Sequence, residues 1–340
     1  MKNVFLAAAL TAVVSVCACP FSCKMSEQGV SVVKEDYESP KIESFSVTGE
    51  SSLRMVFSGD VAVSDCALKP FIQLEDTTVE KSDDGTGVCI CDFTFADTFT
   101  AGTEYCFAGE ATDSVGNTLT FSYPFTGFNK KIPNLIISEV HPKYGSSTVK
   151  GEKVYGEEFI ELCAMTAGNL AGLELLSVND GENRAYALPA LEVAAGEVII
   201  VHMRQYGETW ANEMGDDLSL SVSKYSVNGV RDLWVDGTKA SLGDEEDVIL
   251  LRNRNDGAVL DALCYAPQGS TAWKKDAYAQ AAALAVEAGA WETVDISGAL
   301  ESNGMAITRS FLRTRTEKGI ASWVLSKSSG ETPGTVDFAD

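Results

Sequence analysis

Apolar and polar positions alternate along most of this chain with the two-residue period of half-buried strands. Ile42-Glu-Ser-Phe-Ser-Val, Ser52-Leu-Arg-Met-Val-Phe and Cys89-Ile-Cys-Asp-Phe-Thr-Phe all alternate. The last places Cys89, Cys91 and Phe93 on one face and Ile90 on the other. Turn-forming clusters at 48–51, 82–87 and 113–117 separate these runs. A second set of strands begins at Leu135-Ile-Ile-Ser-Glu-Val and continues through Glu158-Phe-Ile-Glu-Leu, Asn169-Leu-Ala-Gly-Leu-Glu-Leu, Ala195-Gly-Glu-Val-Ile-Ile-Val, Asp247-Val-Ile-Leu-Leu and Val259-Leu-Asp-Ala-Leu-Cys-Tyr. Asn255-Asp-Gly, between the last two, is the strongest short hairpin signal in the chain, and Asn179-Asp-Gly is a second such turn.

Two stretches break the alternation. Residues 272–290 (AWKKDAYAQAAALAVEAGA) are Ala-rich and read as a helical insertion. Val4 to Val16 is an uncharged apolar or small run behind Lys2, too short to span a bilayer stably. It ends in Val16-Cys17-Ala18-Cys19. That ending resembles the bacterial lipobox, in which the cysteine becomes the lipidated first residue of the mature protein. Cys19, behind Ala18, fits better than Cys17 or Cys23. The competing reading is an ordinary cleaved signal with incidental cysteines. The resemblance implies a signal peptide over 1–18, a flexible tether over 19–40, and a lipid-anchored protein on the periplasmic face or the cell surface.

Between 41 and 128, Phe57-Ser-Gly-Asp-Val, Gly102-Thr-Glu-Tyr and Ala111-Thr-Asp-Ser-Val-Gly-Asn-Thr-Leu resemble the bacterial immunoglobulin-like domains of surface proteins. Phe128-Asn-Lys-Lys-Ile-Pro reads as a linker. From 134 to 340, several motifs in order are similar to the lamin tail domain: Ile-Ser-Glu-Val, Glu-Phe-Ile-Glu-Leu, Asn-Leu-Ala-Gly, Leu-Pro followed by Ala-Gly-Glu-Val, and Asp-Gly-Ala-Val-Leu-Asp. Arg309, Trp323 and Thr332-Pro-Gly334 match the closing segment of its bacterial versions. Cys163 stands where that family usually has Asn. The expected fold is therefore all-β, two immunoglobulin-like β-sandwich domains in tandem, the second with a helical insertion near 272–290.

The charge of −23 repels phosphate backbones, so the chain has no basic surface for nucleic acid. It also repels anionic headgroups, which leaves the lipid as the membrane attachment. An extracytoplasmic address permits disulfides. Cys66, Cys89, Cys91 and Cys106 form an even set within the first sandwich. Cys89 and Cys91 are a poor pair for each other, because a bridge needs Cα atoms about 5.5–6 Å apart and converging Cβ atoms. That leaves 66–89 with 91–106, or 66–91 with 89–106, against the reading of four buried thiols. Cys163 shares a strand face with Glu161, which suggests exposure.

Candidate chemistry is sparse. Glu139 and His141 share a strand face, and with Glu161 they form one candidate acid–base or metal constellation. A strand-end histidine that meets solvent or caps a loop is the favoured reading. The acidic runs Asp83-Asp84, Asp216-Asp217 and Asp244–Asp247 lack the spacing of a calcium loop and read as solvated turns. There is no Gly-x-Ser-x-Gly, phosphate loop or His-Glu-x-x-His. Tyr206, Trp210, Trp234, Trp273 and Trp291 sit in or near expected loops, where exposed aromatics suit protein or glycan binding, while packing of the helix on the sandwich explains Trp273 and Trp291 equally well. The expectation is a non-enzymatic binding or scaffolding module with no catalytic residue, metal or cofactor, and with a protein or glycan partner at the envelope. The rivals are an accessory or catalytic component of a secreted hydrolase such as a nuclease, and a structural spacer.

Overall fold

The computed structural model describes residues 38–81, 87–149, 151–179, 185–206, 209–239 and 241–338. The signal peptide, Cys19, nearly all of the tether, the Asp83-Asp84 turn and most of the Asn179-Asp-Gly turn lie outside them. Strands in the first part are β1 (Ile42–Gly49), β2 (Ser52–Phe57), β3 (Val61–Lys69), β4 (Leu74–Lys81), β5 (Cys89–Phe95), β6 (Glu104–Asp113) and β7 (Thr118–Thr126). They form a four-stranded sheet, β1-β2-β5-β4, facing a three-stranded sheet, β3-β6-β7. Alternation in β2 and β5 sends Leu53, Met55, Phe57, Cys89, Cys91 and Phe93 into a shared core with Phe107, Phe121 and Phe125 of the opposite sheet. Phe93 and Phe107 meet edge to face at 4.7 Å, a geometry the ring quadrupole favours.

The second part carries β8 (Leu135–His141), β9 (Ser146–Val149), β10 (Glu152–Tyr155), β11 (Phe159–Ala164), β12 (Gly168–Asn169), β13 (Leu173–Ser177), β14 (Tyr186–Ala187), β15 (Glu192–Val193), β16 (Val198–His202), β17 (Arg231–Trp234), β18 (Asp247–Asn253), β19 (Val259–Ala266), α1 (Asp276–Glu287), β20 (Leu300–Glu301), β21 (Phe311–Arg313) and β22 (Trp323–Leu325). A six-stranded sheet, β17-β16-β11-β8-β21-β22, packs on a five-stranded one, β14-β13-β18-β19-β20. The fold is thus all-β and sandwich-like, as the alternation implies. Two pairings are parallel, β16 with β17 and β19 with β20, and each needs a long crossover. The second crossover holds α1, inside the stretch expected to be helical. Its buried Tyr278, Ala281, Ala282 and Ala285 face the sheet, and small side chains let the helix approach β18 and β19 closely. Gly289, at φ 64°, ends it. The Gly289 N–H donates to Val286 O and the Ala290 N–H to Ala285 O, the Schellman arrangement that satisfies the last carbonyls.

A buried ion pair ties the two sheets. Arg313 on β21 bonds Asp261 on β19, and both side chains are fully buried. Asp261 also accepts the Ile137 N–H of β8 at 2.8 Å. The same guanidinium donates to the carbonyls of Ile137, Arg315 and Glu317.

Residues 39–340 form one compact unit, and the segment read as a linker is held in place. Asn255, in the β18–β19 turn, acts as a stand-in strand for the end of β7. Its Oδ1 accepts the Thr126 N–H at 2.8 Å, and its Nδ2 donates to Thr126 O at 2.7 Å. Asn129 Nδ2 donates to the carbonyls of Asn169 and Ala171. Arg254 pairs with Glu104 at 2.6 Å.

Candidate functional site

β8 and β11 pair so that Phe159 opposes His141 and Glu161 opposes Glu139, with a register shift that leaves Ser138 as an extra residue. The three sequence candidates therefore do fall on one face of the six-stranded sheet. That face is covered by coil. The segment around Tyr225 packs over Phe159 and Ile200, and residues 326–335 bond along the rest. All three candidates are about 1% exposed.

Each candidate bonds within the fold. Glu139 accepts the Thr332 N–H and, at 2.9 Å, the Thr332 hydroxyl. Glu161 accepts the Ser138 hydroxyl at 2.7 Å and the Gly334 N–H at 2.6 Å. The acceptors are held by Thr332-Pro-Gly-Thr, a turn closed by the Thr335 N–H on Thr332 O. Pro333 presets the first central position, and Gly334 takes φ 78°, as a type II turn requires. A Cβ on Gly334 would also sit 2.9 Å from Val230. Burial pushes the Glu161 carboxyl up to about 8, against the pull of these bonds. Glu139 is raised for the same first reason.

His141 stacks on Phe159 and uses both ring nitrogens. Nδ1 lies 3.1 Å from Ser310 Oγ, and Nε2 lies 3.1 Å from the Tyr225 hydroxyl. Lys224 Nζ reaches the same hydroxyl at 2.5 Å. Burial, then the Lys224 charge, pushes the imidazole down to about 4, so it is neutral near pH 7. Burial and the carboxylates of Glu331, Glu157 and Glu139 raise the Tyr225 phenol. This is a poor acid–base pair at neutral pH, because the imidazole is hard to protonate and the phenol hard to ionise.

A cavity of about 270 Å³ opens beside it, lined by His141, Glu157, Tyr206, Lys224, Tyr225 and Ile307. Neither Glu139 nor Glu161 lines it. Glu139 instead borders a separate hollow with Arg313 and Thr332. The geometry thus brings the three residues to one sheet face but not to one cavity. Among the described residues, no group of three or more His, Cys, Asp or Glu side chains is placed to hold a metal ion.

The other histidine has no role legible in sequence. His202 is fully buried, stacked at 3.8 Å on Trp234, with Nε2 2.8 Å from Asp232 and Nδ1 3.3 Å from Glu157. Burial opposes its charge, but the bonds to Asp232 and Glu157 outweigh burial and raise its pKa.

Several expectations change here. Cys66, Cys89, Cys91 and Cys106 are free thiols in the structure, so the expected bridge is not formed there. Cys89 and Cys91 point side by side into the aromatic core, while Cys66 and Cys106 are half-buried on β3 and β6. Cys163 is buried, not exposed, because β11 is a central strand covered on both faces. The Asp244–Asp247 run is not a solvated turn throughout. Asp247 is fully buried and accepts from Ser177 Oγ and the Asn179, Gly243 and Val248 N–H groups. Glu246 accepts the Lys274 N–H at the entry to α1. Trp234 is a core residue; Trp291 takes the core reading of its two, and Trp210 is 46% exposed.

An all-β sandwich fold with a tail-locked central sheet is the class these features define. Residues 133–329 match the family described as TP_1001_2nd, protein second domain, and the chain belongs to that family. A protein of Treponema pallidum (strain Nichols), itself described as uncharacterized, is 29% identical over 199 residues, covering 56% of this chain and 48% of the relative. The chain thus spans about half the length of the curated relative it matches. Among solved structures, a DUF4876 family protein from Bacteroides thetaiotaomicron VPI-5482 aligns at TM-score 0.33 and 12% identity, over 80% of this chain and 90% of that one. The N-terminal part of the bacterial S-layer protein SbsC aligns at TM-score 0.23 and 14% identity, over 67% of this chain and 44% of that one. No helix among the described residues is long and apolar enough to cross a membrane.

Proposed function

We propose that the chain is a non-enzymatic envelope lipoprotein, anchored through Cys19, whose paired sandwiches carry a binding surface outside the cytoplasm. The observation that carries this reading is the use made of Glu139, His141 and Glu161. Their side chains hold the closing turn and the Tyr225 segment in place, and they do not converge on a common cavity. The lamin-tail reading of 134–340 belongs to the same proposal. Its support is that the residues carrying the resemblance bond one another, Glu139 and Glu161 to Thr332 and Gly334.

A spacer role is the second reading, and the Asn255 and Asn129 contacts favour it, since they fix one sandwich against the other. Two measurements test the first reading. Mass spectrometry of the native N-terminal peptide should find lipid on Cys19, and a Cys19→Ser chain should leave the membrane fraction. Purified chain incubated with nucleic acid, ester and glycoside substrates, with and without divalent cations, should show no turnover. Turnover that falls in His141→Gln or Glu161→Gln would overturn the reading.

A further inference from the structure

The long crossover between β16 and β17 carries a feature that neither the sandwich cores nor the buried carboxylates use. Trp210, Met214, Leu220 and Val222 are 44–49% exposed, and they are four of the twelve exposed large apolar side chains among the described residues. Single exposed apolar residues are ordinary on any surface. Four on one loop of 14 residues are a local concentration of apolar surface.

The loop is braced from beneath. Glu213 is fully buried, and its carboxylate accepts the N–H groups of Leu220, Ser221 and Asp232. Arg231 Nη1 donates to the carbonyls of Glu213 and Gly215, and Nε pairs with Glu197 at 2.7 Å. Ser221 Oγ accepts the Trp234 indole N–H at 2.9 Å and donates to Ala211 O. Thr209 and Val222 exchange backbone bonds. These ties draw 209–214 and 220–222 together, so the backbone that carries the four apolar side chains is preformed. A preformed surface loses little conformational freedom on binding.

Charge selects the occupant. The loop contains Glu213, Asp216 and Asp217 and no basic residue, and Asp216 and Asp217 are exposed beside the apolar positions. The whole chain carries −23. A second copy would bring like charge to like charge, and an anionic lipid surface would be repelled in the same way. We propose that the 209–222 loop is a docking surface for a basic protein that presents an apolar patch flanked by lysine or arginine. This rests on the binding-module reading above and names its surface.

The test is selection of a random peptide display library on the full chain in detergent micelles, followed by fluorescence anisotropy with the enriched peptides. Enriched sequences should pair Lys or Arg with large apolar residues. Trp210→Ala and Leu220→Ser should each weaken them about tenfold or more, the size of a hot-spot loss. Asp216→Asn with Asp217→Asn should weaken them and flatten the salt dependence while leaving the apolar contacts in place. An unchanged thermal midpoint in each variant separates lost binding from lost fold. Neutral or acidic peptides, or binding indifferent to these substitutions, overturn the proposal. So does self-association in sedimentation that Leu220→Ser abolishes, which would make the occupant a second copy. Binding to phosphatidylcholine vesicles that Trp210→Ala abolishes would make it a lipid surface and overturn it too. Failure here leaves Cys19 lipidation and the absence of turnover untouched, whereas turnover would sink the earlier reading without altering peptide binding.

Discussion

Replacing Arg313 with Met will destabilise the second sandwich by about 3–5 kcal/mol, the cost of stranding one member of a buried ion pair. The figure follows from what the guanidinium holds. It neutralises Asp261, which is fully buried and keeps only neutral donors such as the Ile137 N–H once the arginine is gone. It also leaves the carbonyls of Ile137, Arg315 and Glu317 without this donor. Burial already raises the Asp261 carboxyl despite the Arg313 charge, so the variant should take up a proton there. Arg313→Lys keeps charge but loses the fork and should fall between. The Arg313→Met, Asp261→Leu double variant should cost clearly less than the sum of the two singles, with a coupling of about 1–3 kcal/mol. Equilibrium denaturation in guanidinium reads the unaltered chain and the four variants, followed by fluorescence and far-ultraviolet circular dichroism. Trp323, whose ring lies 5.3 Å from the guanidinium, is a local reporter. A loss below about 1 kcal/mol with an unchanged slope, or strict additivity in the double variant, would refute the reasoning.

Asn255→Ala removes both bonds to the Thr126 backbone and should cost about 1–3 kcal/mol, with faster proteolysis near residues 127–134 as the sensitive readout. Gly334→Ala meets both an unfavourable φ and Val230, so a loss of about 1–3 kcal/mol is expected in thermal denaturation. The pH dependence follows from Glu161, whose carboxyl burial pushes from 4.5 up to about 8. Between those values the folded chain holds a proton that the unfolded chain has released. Stability should therefore fall as pH rises through that window, by at most about 1.4 kcal/mol per unit, and level off above it. Glu161→Gln should remove that share of the slope, and an unchanged slope would show that the carboxyl is not strongly shifted.

Strands with one wet face were readable because alternation reports which side chain meets water. β2 and β5 show it, with Leu53, Met55 and Phe57 inward and Arg54 outward. β8 and β11 were recognised as strands but not as doubly buried, because what covers their outer face is coil from 223–230 and 326–335, which has no period to detect. The same cause hid the burial of Cys163 and of Glu139, His141 and Glu161. The helix was legible from its alanines, but its parallel crossover was not, since the pairing of β19 with β20 involves only two residues of β20. The Glu213 brace was equally out of reach, because a buried glutamate in a polar loop reads like any solvated one. Trp210 reads from sequence as a loop aromatic, and the bonds that brace its loop are visible only in the fold.

The bonds from Thr332 and Gly334 to Glu139 and Glu161 join residues 193 and 173 positions apart. They set an order in time. When the chain emerges in sequence, from a ribosome or through an export channel, β8 and β11 appear long before the turn that satisfies their carboxylates. Until then the central strands carry two acidic side chains bound for a dry interior with no backbone donors to meet them. The second sandwich is therefore a late-closing fold, with the slow, long-range contacts that delay the transition state. The first sandwich, whose buried core residues lie between 53 and 125, has its core contacts early. A pulse-labelling experiment on emerging chains would see it protected while the second still exchanges freely.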